Sequence, residues 1–131
     1  DAPTREACVL QRSTTNTPLA ALVLMNDPTF VEASRKLAER VLREGGDEAA
    51  SRLTMAFRLT TGRRPLPVEA KTLALALRDL VEAFRQDPNA AEQLLNVGEA
   101  SADRELDALK LAAYSAVVNS LLQLDESITR R

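Results

Sequence analysis

At 131 residues the chain has the size of one domain able to bury a worthwhile core. Its net charge of −2, with acidic and basic residues interleaved, excludes the basic surface that nucleic acid or an anionic membrane needs. Histidine is absent and Cys8 is the only cysteine, which excludes the commonest general base, an intrachain disulfide and a thiolate metal cluster.

Residues 1–14 show no helical period and carry Pro3 early. They are read as an extended arm, residues 1–16, leading into a helical core, residues 17–131. Thr17-Pro18 and Asp27-Pro28 each pair a capping oxygen with a proline, whose fixed φ and missing N–H suit the first helical turn. Between them lies a short helix, about Pro18 to Met25, apolar nearly all round and so expected to be buried on most sides. It is far shorter than the roughly 20 residues that span a bilayer, and no membrane insertion is expected. Asn16 and Asn26 flank it as turn-formers through side chain to backbone bonds.

The next helix, about Pro28 to Glu44, is amphipathic. Phe30, Val31, Leu37, Ala38, Val41 and Leu42 form its apolar stripe, and Glu32, Arg35, Lys36, Glu39, Arg40 and Arg43 its solvated one. Glu32/Lys36 and Glu39/Arg43 are i,i+4 pairs in the favourable orientation. Gly45-Gly46 supplies a left-handed end. A helix from near Asp47 stops at Gly62; Leu53, Ala56 and Phe57 lie on one face and Met55 and Leu59 on another, so it should sit between neighbours. Pro65 and Pro67 bias the residues before them away from helix and stiffen a turn.

The following helix, Pro67 to Gln86, presents Leu73, Leu77, Leu80, Val81 and Phe84. Asp87-Pro88 caps a short one reaching about Leu95, and Asn96 to Ala102 is a loop in which Gly98 is the stop. The last helix, about Asp103 to Leu124, carries Leu106, Leu109, Ala113, Val117 and Leu121 on one stripe. Leu111, Tyr114, Val118 and Leu122 lie on the adjoining one, which places this helix at the centre. No segment has strand period. The fold class is all-α: a single compact helical domain of five to six helices with an extended N-terminal arm.

Chemistry is sparse. Glu99, Asp103, Glu105 and Asp107 gather near the start of the last helix, where capping and the helix dipole account for them. Arg58, Arg63 and Arg64 complement a helix C-terminus and lack the helix N-terminus that a phosphate site would use. Ser115 and Asn119 interrupt the apolar surface of the last helix. A buried Asn needs partners, and an adjacent loop or helix end is the expected one. Cys8 is a small hydrophobe without the partner an activated thiolate needs. No cofactor is implied, since the chain has no Cys-x-x-Cys-His haem motif.

Cys8, Arg12, Thr15 to Leu19 and Leu22 to Pro28, continuing through Phe57-Arg58, Gly62-Arg63 and Pro65, carry a family resemblance, as do Leu121 to Glu126 and Thr129-Arg130. The chain resembles the C-terminal domain of unknown function, the PSD-one type domain, of planctomycete-type multi-domain proteins that often also carry a cytochrome c-like region. It departs from that pattern at Thr14, where the family favours arginine, and at Ala20, where it favours glutamine. The resemblance implies a part of a larger extracellular, periplasmic or cell-surface protein and assigns no activity. The leading expectation is a non-catalytic accessory domain whose partners are the parent's upstream domains, with contacts from Arg12, Asn16, Leu19, Leu22, Val23 and Asn119. The alternative is a segment that completes an enzyme or redox site upstream through Arg12, Asn16 or Asn119. If the apolar helix keeps an uncovered face, the isolated chain pairs through Leu19, Leu22 and Val23 into a homodimer.

Overall fold

The structure is a computed structural model that describes residues 27–129, with side chains described for residues 27–124. The arm and the Pro18–Met25 helix, with Arg12, Asn16, Leu19, Leu22 and Val23, lie outside the described residues. So do Cys8, Thr14, Ala20 and Asn26.

Five helices follow: α1 Pro28–Glu44, α2 Ala49–Thr61, α3 Pro67–Gln86, α4 Pro88–Leu95 and α5 Ala108–Thr129. The described residues contain no strand. The fold is all-α.

The caps explain the boundaries. Asp27 Oδ1 accepts from the Thr29 N–H at 2.8 Å, and Pro28 occupies the first turn of α1. Gly46 takes the left-handed conformation just beyond α1 at φ +88°. Gly45 is required for another reason: a Cβ there would stand 2.6 Å from the Val41 carbonyl oxygen. α2 begins at Ala49, two residues later than expected from Asp47, and Glu48 caps it with backbone alone. Ser51 Oγ and Arg52 Nε reach back to the carbonyls of Gly45 and Gly46, at 2.7 and 2.8 Å, and close the turn. Asp87 accepts from the Ala90 N–H at the start of α4.

The last helix is the largest correction to the expected boundaries. It starts at Ala108, not near Asp103, because residues 103–107 are held in another conformation. The Asp103 N–H is taken by Glu39 at 2.8 Å, and Asp103 Oδ1 accepts from Glu105 N–H at 3.0 Å. Asp107 is the residue that caps α5, accepting from the Lys110 N–H at 3.0 Å.

All four other helices pack on α5, α1 most extensively. Leu111 to Ser115 form an unbroken buried run, continued by Val117, Val118 and Leu121. Its neighbours contribute Val31, Ala38 and Val41 from α1, Leu53 and Phe57 from α2, Leu73, Leu80 and Phe84 from α3, and Leu95 from α4. A helix that is apolar on every side belongs in the middle of a bundle.

The short links 45–48 and 62–66 make α1, α2 and α3 successive antiparallel neighbours. α1 also runs antiparallel to α5: Arg43 meets Asp103 just before α5, while Ser34 meets Asn119 more than two turns into it. The start of α1, the end of α2, the start of α3 and the later turns of α5 therefore share one end of the bundle.

Candidate functional site

α1 carries Glu32, Arg35, Glu39 and Arg43 at spacings of three and four residues, so they form one stripe along the helix. This stripe is not solvated as its composition suggested. Arg35 is 0% exposed and Glu39 3%. Both face the segment between α4 and α5, whose backbone has no helical ladder to satisfy it.

The Arg35 guanidinium donates to three carbonyls, those of Leu95 at 3.0 Å, Val97 at 2.8 Å and Ala100 at 2.6 Å. The Glu32 carboxylate does the converse, accepting from the N–H groups of Glu99 at 2.9 Å and Ala100 at 3.1 Å. Glu39 takes the Asp103 N–H and stands 3.8 Å from Arg35 Nε, so the buried charge is compensated. Arg43 bridges Glu39 at 3.5 Å and Asp103 at 3.1 Å. On the outer side of the loop Arg104 pairs with Glu92 and also donates to Asn96 Oδ1, both at 3.1 Å. Gly98, at φ +93°, lies against Glu32; any Cβ there would run into that side chain.

These contacts set the protonation chemistry. The N–H groups of Glu99 and Ala100 hold the Glu32 carboxyl below its ordinary range. Asp103 is lowered by the Glu105 N–H and by Arg43. At the start of α3, Glu69 is 3% exposed and is lowered chiefly by Arg63. The Arg63 fork grips Glu69 through two contacts of 2.9 Å, and the guanidinium lies 4.9 Å from the Phe57 ring centroid. Glu69 also accepts from Leu66 N–H at 2.8 Å, which closes the turn containing Pro65 and Pro67. All three arginines of the expected basic cluster are exposed, and Arg63 serves this turn.

Asn119 is the one expected contact residue among the described ones. It lies in the core, 8% exposed, donating to Ser34 Oγ at 3.1 Å and accepting from Gln123 Nε2 at 2.6 Å. Its partner is thus the middle of α1 and a neighbour one turn along α5, not a loop or a helix end. Ser34 passes the network on to the Phe30 carbonyl at 2.9 Å. The structure does not bring Asn119 together with the carboxylates near residue 103, which stand at the other end of α1.

Among the described residues no three His, Cys, Asp or Glu side chains are placed to hold a metal ion, and no helix is long and apolar enough to cross a membrane. Two of the open grooves on the described surface bear on α2 and α3. One lies over Ala74, Leu77 and Val81 with Arg78 and Arg85 at its edge; the other lies along α2 over Met55 and Leu59, ending at Gly62. Of the second apolar face expected of α2, Met55 is partly buried against the core and Leu59 is exposed.

A family model described as a protein of unknown function (DUF1553), PSD1, matches residues 1–77. The chain belongs to that family. The match takes in residues 1–26, α1, α2 and the first half of α3. Leu121 to Glu126 and Thr129-Arg130, which also carried the resemblance, lie beyond the matched residues. No curated protein and no solved structure matches the chain.

Sequence reasoning missed the Arg35 seam because it sorted α1 by polarity alone. One signal was available: the loop from Asn96 to Ala102, with no helical period, must find backbone partners somewhere, and Glu32 and Arg35 are the side chains on α1 that provide them.

Proposed function

We propose that the chain is a non-catalytic helical accessory domain of a larger secreted or cell-surface protein, packing against that protein's upstream domains. The observation that carries this reading is how the buried charges are used. Arg35, Glu39 and Glu69 are committed to the chain's own backbone and to internal ion pairs, Arg35 with Glu39 and Glu69 with Arg63. General acid–base catalysis at neutral pH wants a carboxyl raised toward the working pH; Glu32, Glu69 and Asp103 are all shifted the other way. The cellular setting rests on the resemblance to planctomycete-type multi-domain proteins.

The alternative, a segment completing an upstream enzyme or redox site, loses Asn119 to the Ser34–Gln123 network and would depend on Arg12 and Asn16. The two readings separate when the parent's upstream region and this chain are produced apart and mixed. An accessory domain forms a one-to-one complex and raises the melting temperature of the upstream region. An activity that appears only on mixing, and disappears with Arg12→Ala or Asn16→Ala while the complex persists, would establish the alternative.

A further inference from the structure

All four large apolar side chains exposed among the described residues fall within one stretch: Leu59 41%, Leu66 45%, Val68 51% and Leu75 39% exposed. Leu59 lies in the last turn of α2, Leu66 immediately precedes α3, and Val68 and Leu75 lie on α3 itself. Val68, Lys71 and Leu75 follow one another at spacings of three and four residues. They therefore form one stripe, on the face of α3 opposite the buried Leu73, Leu77 and Leu80. The charges on this stretch are nearly all of one sign. Residues 58–78 hold five basic side chains and a single acid, Glu69, in a chain whose net charge is −2. Glu69 is buried and engaged by Arg63, and Arg78 pairs with Asp79 just beyond. Among the described residues, Arg58, Arg64 and Lys71 are exposed and have neither an ion pair nor a side-chain hydrogen bond.

We propose that the turn between α2 and α3, with the outer face of α3, is a docking surface for an acidic amphipathic helix of a partner protein. The partner's apolar side chains would meet Leu59, Leu66, Val68 and Leu75, and its carboxylates Arg58, Arg64 and Lys71. Charge complementarity chooses that chemistry: three cations without counter-ions accompany the apolar side chains, and carboxylates on the partner supply what this stretch lacks. Arginine at two of the three positions suits a carboxylate, which its planar fork meets with two parallel hydrogen bonds. The spacing chooses a helix. Val68 and Leu75 are seven residues apart, about 10 Å along α3, and a helix with a seven-residue apolar repeat presents its side chains at the same interval. A second copy meeting this surface with its own would set the three cations against themselves, and like-charge repulsion opposes that pairing. An anionic membrane would have to hold a chain of net negative charge.

The inference goes beyond the accessory role by giving the partner's chemistry, and it is independent of whether that partner belongs to the same protein. The probe is a synthetic helical peptide with leucine on one face and glutamate on the other, titrated into the chain by calorimetry and methyl NMR. Its counterpart with lysine for every glutamate is the control. The expected result is movement of the Leu59, Leu66, Val68 and Leu75 methyl resonances, with the glutamate peptide bound about tenfold more tightly than the lysine one. That affinity should fall as salt is raised. Arg58→Glu/Lys71→Glu should weaken binding by on the order of tenfold, and Val68→Ser/Leu75→Ser should also weaken it. All four side chains are exposed, so circular dichroism of both variants should match the parent. Lys36→Glu, on the exposed side of α1, should leave the affinity where it was. Equal binding of the two peptides, no binding of either, or an affinity that these variants do not change overturns the proposal. So does a dimer of the chain, or its adsorption to phosphatidylserine vesicles, that Arg58→Glu/Lys71→Glu abolishes.

Discussion

At the scale of single residues, Arg35 has the most at stake. A buried guanidinium is costly to desolvate, and only its three carbonyl partners and the nearby Glu39 carboxylate compensate it. Arg35→Met would leave those carbonyls unpaired and a buried carboxylate without its cation. The expected loss is about 3–5 kcal/mol, the range for breaking a buried pair from one side. Arg35→Lys should recover only part of it, since a point charge cannot reproduce the planar fork that spans Leu95, Val97 and Ala100. Lys36→Ala, on the exposed side of the same helix, should stay within about 0.5 kcal/mol of the parent. Urea midpoints for the three variants decide this; equal shifts for Arg35→Met and Lys36→Ala would show that the seam contributes nothing. Tyr114 offers a separate readout, because it is the only tyrosine. Burial raises its phenol and Arg52 partly offsets that, so ionisation by ultraviolet absorbance should begin above the ordinary value of 10.0. Since the folded form holds the proton more tightly, the associated stability is present below that value and declines as pH rises past it.

At the scale of elements, the helices were legible and the connections were not. Asp27-Pro28, Asp87-Pro88 and Gly62 announce boundaries through chemistry local to a few residues, and α1, α3 and α4 stand where those signals put them. The 96–107 segment depends on Glu32, Arg35 and Glu39, some sixty residues earlier, and no local pattern records that dependence. The same distance hid the late start of α5, where Asp103 is captured by α1 before a helix can form. Asn119 was legible as a buried residue needing a partner, but Ser34 could be found only once the two helices were side by side. These connections should also be the acid-sensitive part of the fold. Glu32, Glu69 and Asp103 have folded pKa values below their ordinary ones, so their contribution is complete above the ordinary carboxylate range, about pH 4, and is lost as pH falls through the lowered values. The urea midpoint should drop steeply below that pH. Glu69→Gln should lower the midpoint at neutral pH and flatten the acid limb; an unchanged limb would mean that the Arg63–Glu69 pair does not couple to folding. Gly98→Ala should destabilise at every pH, by about 1–3 kcal/mol, because it combines a left-handed backbone with a collision on Glu32.

At the scale of the whole molecule, cooperativity should come from α5, because every other helix is completed by packing on it. Val117 is 0% exposed and sits midway along the helix, between Ala113 and Leu121 on the same stripe. An aspartate there would put a charge among the apolar side chains of the core, so it must either stay protonated or force the interior open. Val117→Asp should therefore exceed about 4 kcal/mol of destabilisation, a large fraction of the roughly 5–15 kcal/mol that holds a domain folded. The loss should be global: the far-ultraviolet helical signal, the Tyr114 environment and the amide protection of α1 should all disappear together. The parent chain, by contrast, should give a cooperative helical transition in excess chelator and reductant, since its described core is built from Leu, Val, Ala, Phe and Tyr packing together with the Arg35–Glu39 seam. Circular dichroism and denaturant melts on both proteins provide the check. A Val117→Asp protein that keeps α1 and α3 intact would mean that the bundle is held pairwise between its outer helices, and that α5 is a passenger instead of the axis.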